Sequence, residues 1–178
     1  PHFGKVKADA TRITNNPKAI GYYPGCSLSS TSIEYGKSVK NIANAMDIEL
    51  VEPRGWSCCG SSPAHATDPK AANVMPMSTI ARIEKMGLDT VTSPCSACFS
   101  RLKHAEHSLT SNEKVSKEVS DALDYGYKGS VNVQHLVDVI VDRVGLDEVG
   151  KRVSNPLKGL KVACYYGCLI TRPTKVTG

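Results

Sequence analysis

"LDTVTSPCSAC", residues 88–98, reads as three things in a row. Leu88 to Thr92 is short and rich in β-branched residues, the composition of a strand. Ser93-Pro94 stops it, because proline donates no ladder hydrogen bond. Cys95-Ser96-Ala97-Cys98 then leads into a helix with Leu102, Ala105 and Leu109 on one side. Two thiols are thus delivered where a strand hands over to a helix.

The same unit occurs twice upstream. "KAIGYY", 18–23, is a strand ending in Pro24-Gly25-Cys26, and "IELVE", 48–52, is a strand followed by Cys58-Cys59. Around that pair Pro53, Gly55, Ser57, Gly60 and Pro63 forbid regular structure. A helix is expected from near Ser32, with Val39, Ile42, Ala43 and Met46 at i, i+3, i+4 and i+7. Asp68-Pro69 opens another, an N-cap oxygen followed by proline at N1. That helix carries Val74, Met77, Ile80 and Ala81 inward, is expected to kink at Pro76, and ends near Gly87. The order β-α-β-α-β-α implies an α/β fold, a parallel sheet with flanking helices. Ligands of open α/β sheets bind at the carboxyl ends of the strands. Cys26, Cys58, Cys59, Cys95 and Cys98, distant in sequence, therefore arrive at one edge.

Further along, 113–123 reads as a short helix, and Val133, Val137, Ile140 and Val144 as one face of an amphipathic helix. After a linker at Ser154-Asn155-Pro156, "GLKVACYY", 159–166, reads as another strand. "KAIGYYPGC" and "KVACYYGC" are similar with one gap at Pro24, so Cys168 corresponds to Cys26 and Cys164 to Gly21. Cys164 reads as a structural cysteine or an accessory thiol. Tyr22, Tyr23, Tyr165 and Tyr166 read mostly as core, with a place near the metal centre open for one of each pair.

The formal charge is +5, from 22 Lys and Arg against 17 Asp and Glu. The basic residues are scattered among acids as solvated helix faces, which argues against a nucleic-acid partner. No apolar run is long enough to span a bilayer, and no signal peptide opens the sequence. Pro1 and Gly178 both read as cut ends, so a fragment or a processed chain is expected. Seven cysteines is an odd number and the chain has no export signal, which points to a reducing compartment and to metal or redox chemistry.

The pattern is Cys-x31-Cys-Cys-Gly-x34-Cys-x2-Cys over 26–98. The CxxC pair lets two thiolates reach one metal centre from a single turn. The side chains of an adjacent pair point apart and can reach different metal ions. Gly60 lets the backbone turn with positive φ close to inorganic sulfur. Helix-start N–H groups favour thiolate at Cys95 and Cys98. Five thiolates repel one another strongly, and a polyvalent cationic centre offsets that. Zinc is the alternative: it takes four ligands and leaves the fifth cysteine spare. Disulfides and unrelated buried cysteines are the remaining readings. Trp56 reads as a packing wall that limits water at this site. His65 reads as a loop histidine, or as a proton donor to a departing thiolate. His104 and His107 read as surface. Arg172 reads equally as surface or as facing an anionic substrate.

Cys26, Cys58-Cys59-Gly60 and Cys95-Ser96-Ala97-Cys98, with "YYPGC", "WSCCG", "SPCSAC" and "CYYGCLITRP" around them, resemble the CCG cysteine-rich domain and, over 18–178, the B-type polypeptide of heterodisulfide reductase. The resemblance implies 1–17 as a tail, 18–153 as a first CCG domain, and 154–178 as a linker and the start of a second, truncated one. It implies two units related by a pseudo-twofold repeat in the full-length protein, each holding a noncubane [4Fe-4S] cluster on five cysteines. Cys26, Cys58, Cys59, Cys95 and Cys98 would hold the first, and Cys168 would be the first ligand of the second. It further implies reduction or formation of a thiol disulfide, with a ferredoxin-like protein and a flavin-containing protein of the same complex as partners. The expected location is the cytoplasm, with docking on a membrane complex open. Related CCG domains serve flavin-linked dehydrogenases of the succinate/fumarate, glycolate or lactate type, so an electron-transfer role in such a complex is the alternative. A zinc-stabilised interaction domain is a third reading.

Overall fold

The computed structural model describes residues 16–177, so the arm expected at 1–17 lies almost wholly outside the described residues. The strands are β1 (Ala19–Tyr22), β2 (Glu49–Val51), β3 (Thr90–Ser93) and β4 (Asn132–His135), in the order β2-β1-β3-β4, and every pairing is parallel. The α/β expectation holds. The helices, in chain order, are α1 (Gly25–Leu28), α2 (Ile33–Ala45), α3 (Ser61–Thr67), α4 (Pro69–Lys85), α5 (Ser96–Ser111), α6 (Glu113–Leu123), α7 (Leu136–Val139, continued by a π turn Ile140–Val144), α8 (Leu146–Arg152) and α9 (Thr174–Thr177).

Alternation along β1 divides the core in two. Ile20 and Tyr22 face α2 and α7, with Val39, Ala43, Leu136 and Val139 around them. Tyr23 and Val91 face α4 and α5, with Val74, Met77, Ile80, Ile83, Phe99 and Leu102. Gly21 marks the closest approach: a Cβ there would lie 2.5 Å from Ile83 Cδ1, so α4 lies directly on β1. Asp68 caps α4, accepting from Lys70 N at 2.9 Å and Ala71 N at 3.0 Å. Val74, Met77, Ile80 and Ala81 are fully buried, as their spacing predicts, and the helix continues through Pro76.

Three expectations are corrected. Val133 belongs to β4, not to the helix, which begins only at Leu136. Tertiary context overrides the helical spacing: Val133 pairs with Val91 and is buried with it, while Val137 is 59% exposed. The run 159–166 forms no strand, and Tyr165 and Tyr166 are exposed rather than core. A β-branched run becomes a strand only when a ladder is there to receive it, and this one meets neither edge of the sheet. Third, the irregular stretch after β2 ends at Gly60, and α3 follows at once. Pro63 is tolerated in its first turn, where N–H groups have no intrahelical acceptor. On α2, Val39 and Ala43 are buried as expected but Ile42 is exposed.

One latch holds the approach to β4. Glu84 on α4 accepts from Tyr125 Oη at 2.7 Å, Ser130 Oγ at 2.8 Å, and the N–H groups of Lys128 and Ser130 at 3.0 Å. Burial raises the Glu84 pKa, but these donors outweigh it and the net shift is downward. A depressed carboxylate pKa stabilises the fold above its unfolded value, and that stability is lost as pH falls through the folded value. Glu84→Gln is expected to cost about 1–2 kcal/mol in urea unfolding at neutral pH. The penalty should disappear on acidification, as Glu84 of the parent chain protonates.

Candidate metal centre

The strand order places the chain reversal between β1 and β3, the position where open α/β sheets bind ligands. Three loops converge there. Cys26 follows β1 on α1, Cys58 and Cys59 follow β2, and Cys95 and Cys98 follow β3. Cys95 caps the start of α5 and Cys98 lies in its first turn. Tyr23 N donates to Thr92 O at 2.9 Å, which extends the β1–β3 ladder to the threshold of the site.

Two of the sulfurs meet in the buried part of the site. Cys59 Sγ lies 3.5 Å from Cys98 Sγ. Cys98 also acts on the titration of Cys95, and Cys26 on that of Cys58. Cys98 Sγ presses on the turn that carries Cys26: a Cβ at Gly25 would stand 2.6 Å from it, and Gly25 has φ +72°. Cys59 and Cys98 are buried, Cys95 half-buried, and Cys26 and Cys58 exposed. The set is closed towards α4 and open towards solvent.

Backbone donors serve three of the five. The backbone N–H group of Gly60 favours the thiolate of Cys58, that of Ser61 the thiolate of Cys59, and those of Ala97 and Cys98 the thiolate of Cys95. A hydrogen bond from Cys98 is the main reason that the Cys59 and Cys95 thiols fall to about 6. Cys98 itself is driven upward, because it holds the shared proton between two thiolates. Burial pushes Cys58 up. Cys59 and Cys95 thus carry negative charge on either side of the proton retained by Cys98.

Among the described residues, no three His, Cys, Asp or Glu side chains are arranged to hold a single metal ion. The donor set suits a group of several irons bridged by inorganic sulfide: five soft thiols, backbone N–H groups that favour thiolate, and a glycine backing.

His65 lies beside this set on α3, exposed, with Nδ1 3.0 Å from Ser61 O. It lines a cavity of about 70 Å³ with Ser61, Ala97, Ser100, Arg101 and Leu169. Cys168 is exposed on a 3-10 turn, Cys168–Ile170, that packs against α5, while Cys164 lies in the exposed segment before it. His107 is on the surface as expected, whereas His104 is half-buried, its Nδ1 2.7 Å from Ser100 O. Trp56 stands edge-on to Tyr23 at 5.2 Å and walls one side. The sequence leaves open which of Tyr22 and Tyr23 lies near the cysteines, and it shows Gly25 only as part of a turn. The signal for both was "YYPGC": a glycine turn directly before a ligand-type cysteine marks a close backbone approach.

The family model for the CCG cysteine-rich domain matches residues 20–103. The chain is 38% identical, over 90% of its length, to the membrane anchor of the 8-methylmenaquinol:fumarate reductase of Wolinella succinogenes, and covers 56% of that protein. It is 29% identical to a protein of Archaeoglobus profundus that is named as similar to the B-type polypeptide of heterodisulfide reductase, over 88% of the chain and 53% of the relative. It is 26% identical, with the same coverage, to the B-type polypeptide of the ferredoxin/F(420)H(2)-dependent CoB-CoM heterodisulfide reductase of Methanosarcina acetivorans. The chain spans about half the length of these curated relatives.

Gly25→Ala should abolish metal uptake while leaving the fold in place, because its Cβ would displace Cys98 Sγ. The check is iron per chain after anaerobic reconstitution beside an unchanged far-ultraviolet circular dichroism spectrum. Uptake at the parent level would show that Gly25 does not back the site.

Proposed function

Since residues 20–103 are a CCG cysteine-rich domain, we propose that Cys26, Cys58, Cys59, Cys95 and Cys98 hold one noncubane [4Fe-4S] cluster, and that the chain serves an oxidoreductase of the heterodisulfide reductase type that reduces or forms a thiol disulfide. The observation that carries this is the convergence of five thiols from three parallel strands on one sheet edge, with Cys59 and Cys98 in contact. When bound, such a cluster supplies single electrons and an iron able to take a thiolate sulfur.

The chain's own residues do the rest. Cys59, Cys98 and Cys95 form the inner wall, and their N–H donors offset negative charge. Cys26 and Cys58 border the open side, where a substrate sulfur enters. Tyr23 and Trp56 keep water from the inner side. Cleaving a disulfide consumes two electrons and two protons and gives two thiols. His65, exposed beside the CCG turn, is placed to pass a proton to a leaving thiolate. Cys168 belongs to a second unit whose cluster would face the first. A ferredoxin-like protein and a flavin-containing protein of the same complex are the proposed partners, in the cytoplasm or against a membrane complex. Among the described residues no helix is long and apolar enough to cross a membrane.

The 38% identity to a fumarate reductase anchor favours a second reading. There the same centre passes electrons within a flavin-linked dehydrogenase of the succinate/fumarate type, and no disulfide is involved.

Anaerobic reconstitution of the full-length protein should give a brown preparation with about four irons per CCG unit. Addition of a thiol to the oxidised protein should change its electron paramagnetic resonance spectrum if a sulfur substrate binds iron. A spectrum indifferent to thiols would favour the second reading. A colourless preparation that takes zinc and refuses iron would end both.

A further inference from the structure

The loop that carries Cys58 and Cys59 belongs to no strand or helix from Glu52 to Gly60. A loop without a ladder needs side chains to fix it, and two of them meet at Ser57, the residue directly before Cys58. Tyr23, 1% exposed at the end of β1, donates its hydroxyl to Ser57 O at 2.8 Å. From the opposite side the Ser57 hydroxyl reaches α4: Ser78 Oγ at 3.0 Å and Met75 O at 3.2 Å. Ser78 is itself buried and donates to Met75 O at 2.8 Å, which leaves its oxygen free to accept from Ser57. Trp56 completes the arrangement, its ring edge-on to Tyr23 and its Nε1 donating to Glu52 Oε1 at 2.7 Å. Beyond the pair, Gly60 meets α3 and α4: a Cβ there would lie 2.6 Å from Ala64 Cβ and 3.3 Å from Met75 Sδ.

We propose that Tyr23 and Ser57 are positioning residues, a two-sided clamp that fixes where the Cys58 and Cys59 sulfurs stand and how far water reaches them. Through that position the clamp sets the reduction potential of the centre, and this part rests on the iron–sulfur reading above. The Tyr23 hydroxyl holds one carbonyl in a buried site, where an unmade hydrogen bond is costly. The Ser57 hydroxyl ties the same peptide to the helix that covers the sheet. Releasing either side lets the loop open and admits solvent to Cys59. Reduction adds negative charge to a centre already ringed by thiolates, and water stabilises the more charged state. A loosened loop therefore raises the potential.

The test uses the full chain in two forms. In the metal-free, reduced protein, alkylation of each cysteine by iodoacetamide is followed by peptide mapping, with exposed Cys164 as the internal standard. Tyr23→Phe and Ser57→Ala should each speed modification of Cys59 about three- to tenfold, the worth of one hydrogen bond, and leave Cys164 unchanged. In the reconstituted protein both variants should bind iron at the parent level and show a raised midpoint potential. Parent-like Cys59 kinetics in both variants, or an unmoved potential, overturns the clamp. If Tyr23→Phe does not fold, Ser57→Ala decides alone, since it leaves the Tyr23 bond in place. A parent chain that takes up no iron overturns the functional reading and the claim on potential, and Cys59 kinetics then decides the positional claim.

Discussion

The parallel ladder between β1 and β3, Gly21 opposite Val91 and Tyr22 opposite Thr92, holds together residues some seventy positions apart in the chain. Its last bond runs from Tyr23 N to Thr92 O. Three residues beyond that bond on each strand stand Cys26 and, next to the start of α5, Cys95. The two cysteine loops cannot separate without breaking the ladder. Nor can they slip, because a one-residue shift would turn Tyr23 and Val91 away from the core they share with Phe99 and Leu102. The bare glycine at position 21 supports the same register, since it lets Ile83 and the rest of α4 bear directly on β1.

What this scaffold gathers is electrostatically expensive. Thiols in mutual contact, with Cys59 and Cys98 buried, hold protons jointly when no metal is present. Backbone N–H groups at Gly60, Ser61, Ala97 and Cys98 lower part of that cost. They exist because two helices begin there, leaving first-turn donors without intrahelical partners. The apolar wall of Tyr23 and Trp56 works in the opposite sense, withholding water and strengthening every remaining interaction. A multi-iron cationic group bridged by its own sulfide fits this balance of soft ligands, donors and partial dryness.

The relatives differ in what their names say they act on, a quinol:fumarate couple in one and a heterodisulfide in others. That difference is intelligible if the CCG unit is a holder of the electron-carrying centre and its surroundings choose the reaction. Here the open side is bordered by exposed Cys26 and Cys58, and by the cavity of His65, Arg101 and Leu169. Leu169 comes from the segment after residue 154, so that segment helps to shape the approach.

Much of this was legible in the sequence. Three short strands, each followed by Pro or Gly and a cysteine, imply a parallel sheet and a single ligand edge, because strand polarity puts all such loops on the same side. The α4 face was readable residue by residue from its 3.6 period. The cysteine spacing singled out the five thiols that the fold brings to one sheet edge, Cys26, Cys58, Cys59, Cys95 and Cys98. Tertiary structure decided the rest. Val133 has the spacing of a helix face and the composition of a strand, and β3 settled the matter by offering it a ladder. The run 159–166 has the composition of β1 but no neighbour to pair with, so Tyr165 is exposed where Tyr22 is buried. One dimension does not tell Tyr23 from Tyr22. Only the fold carries the Tyr23 hydroxyl to Ser57, because that contact joins two loops thirty-four residues apart, and no local pattern encodes such a meeting.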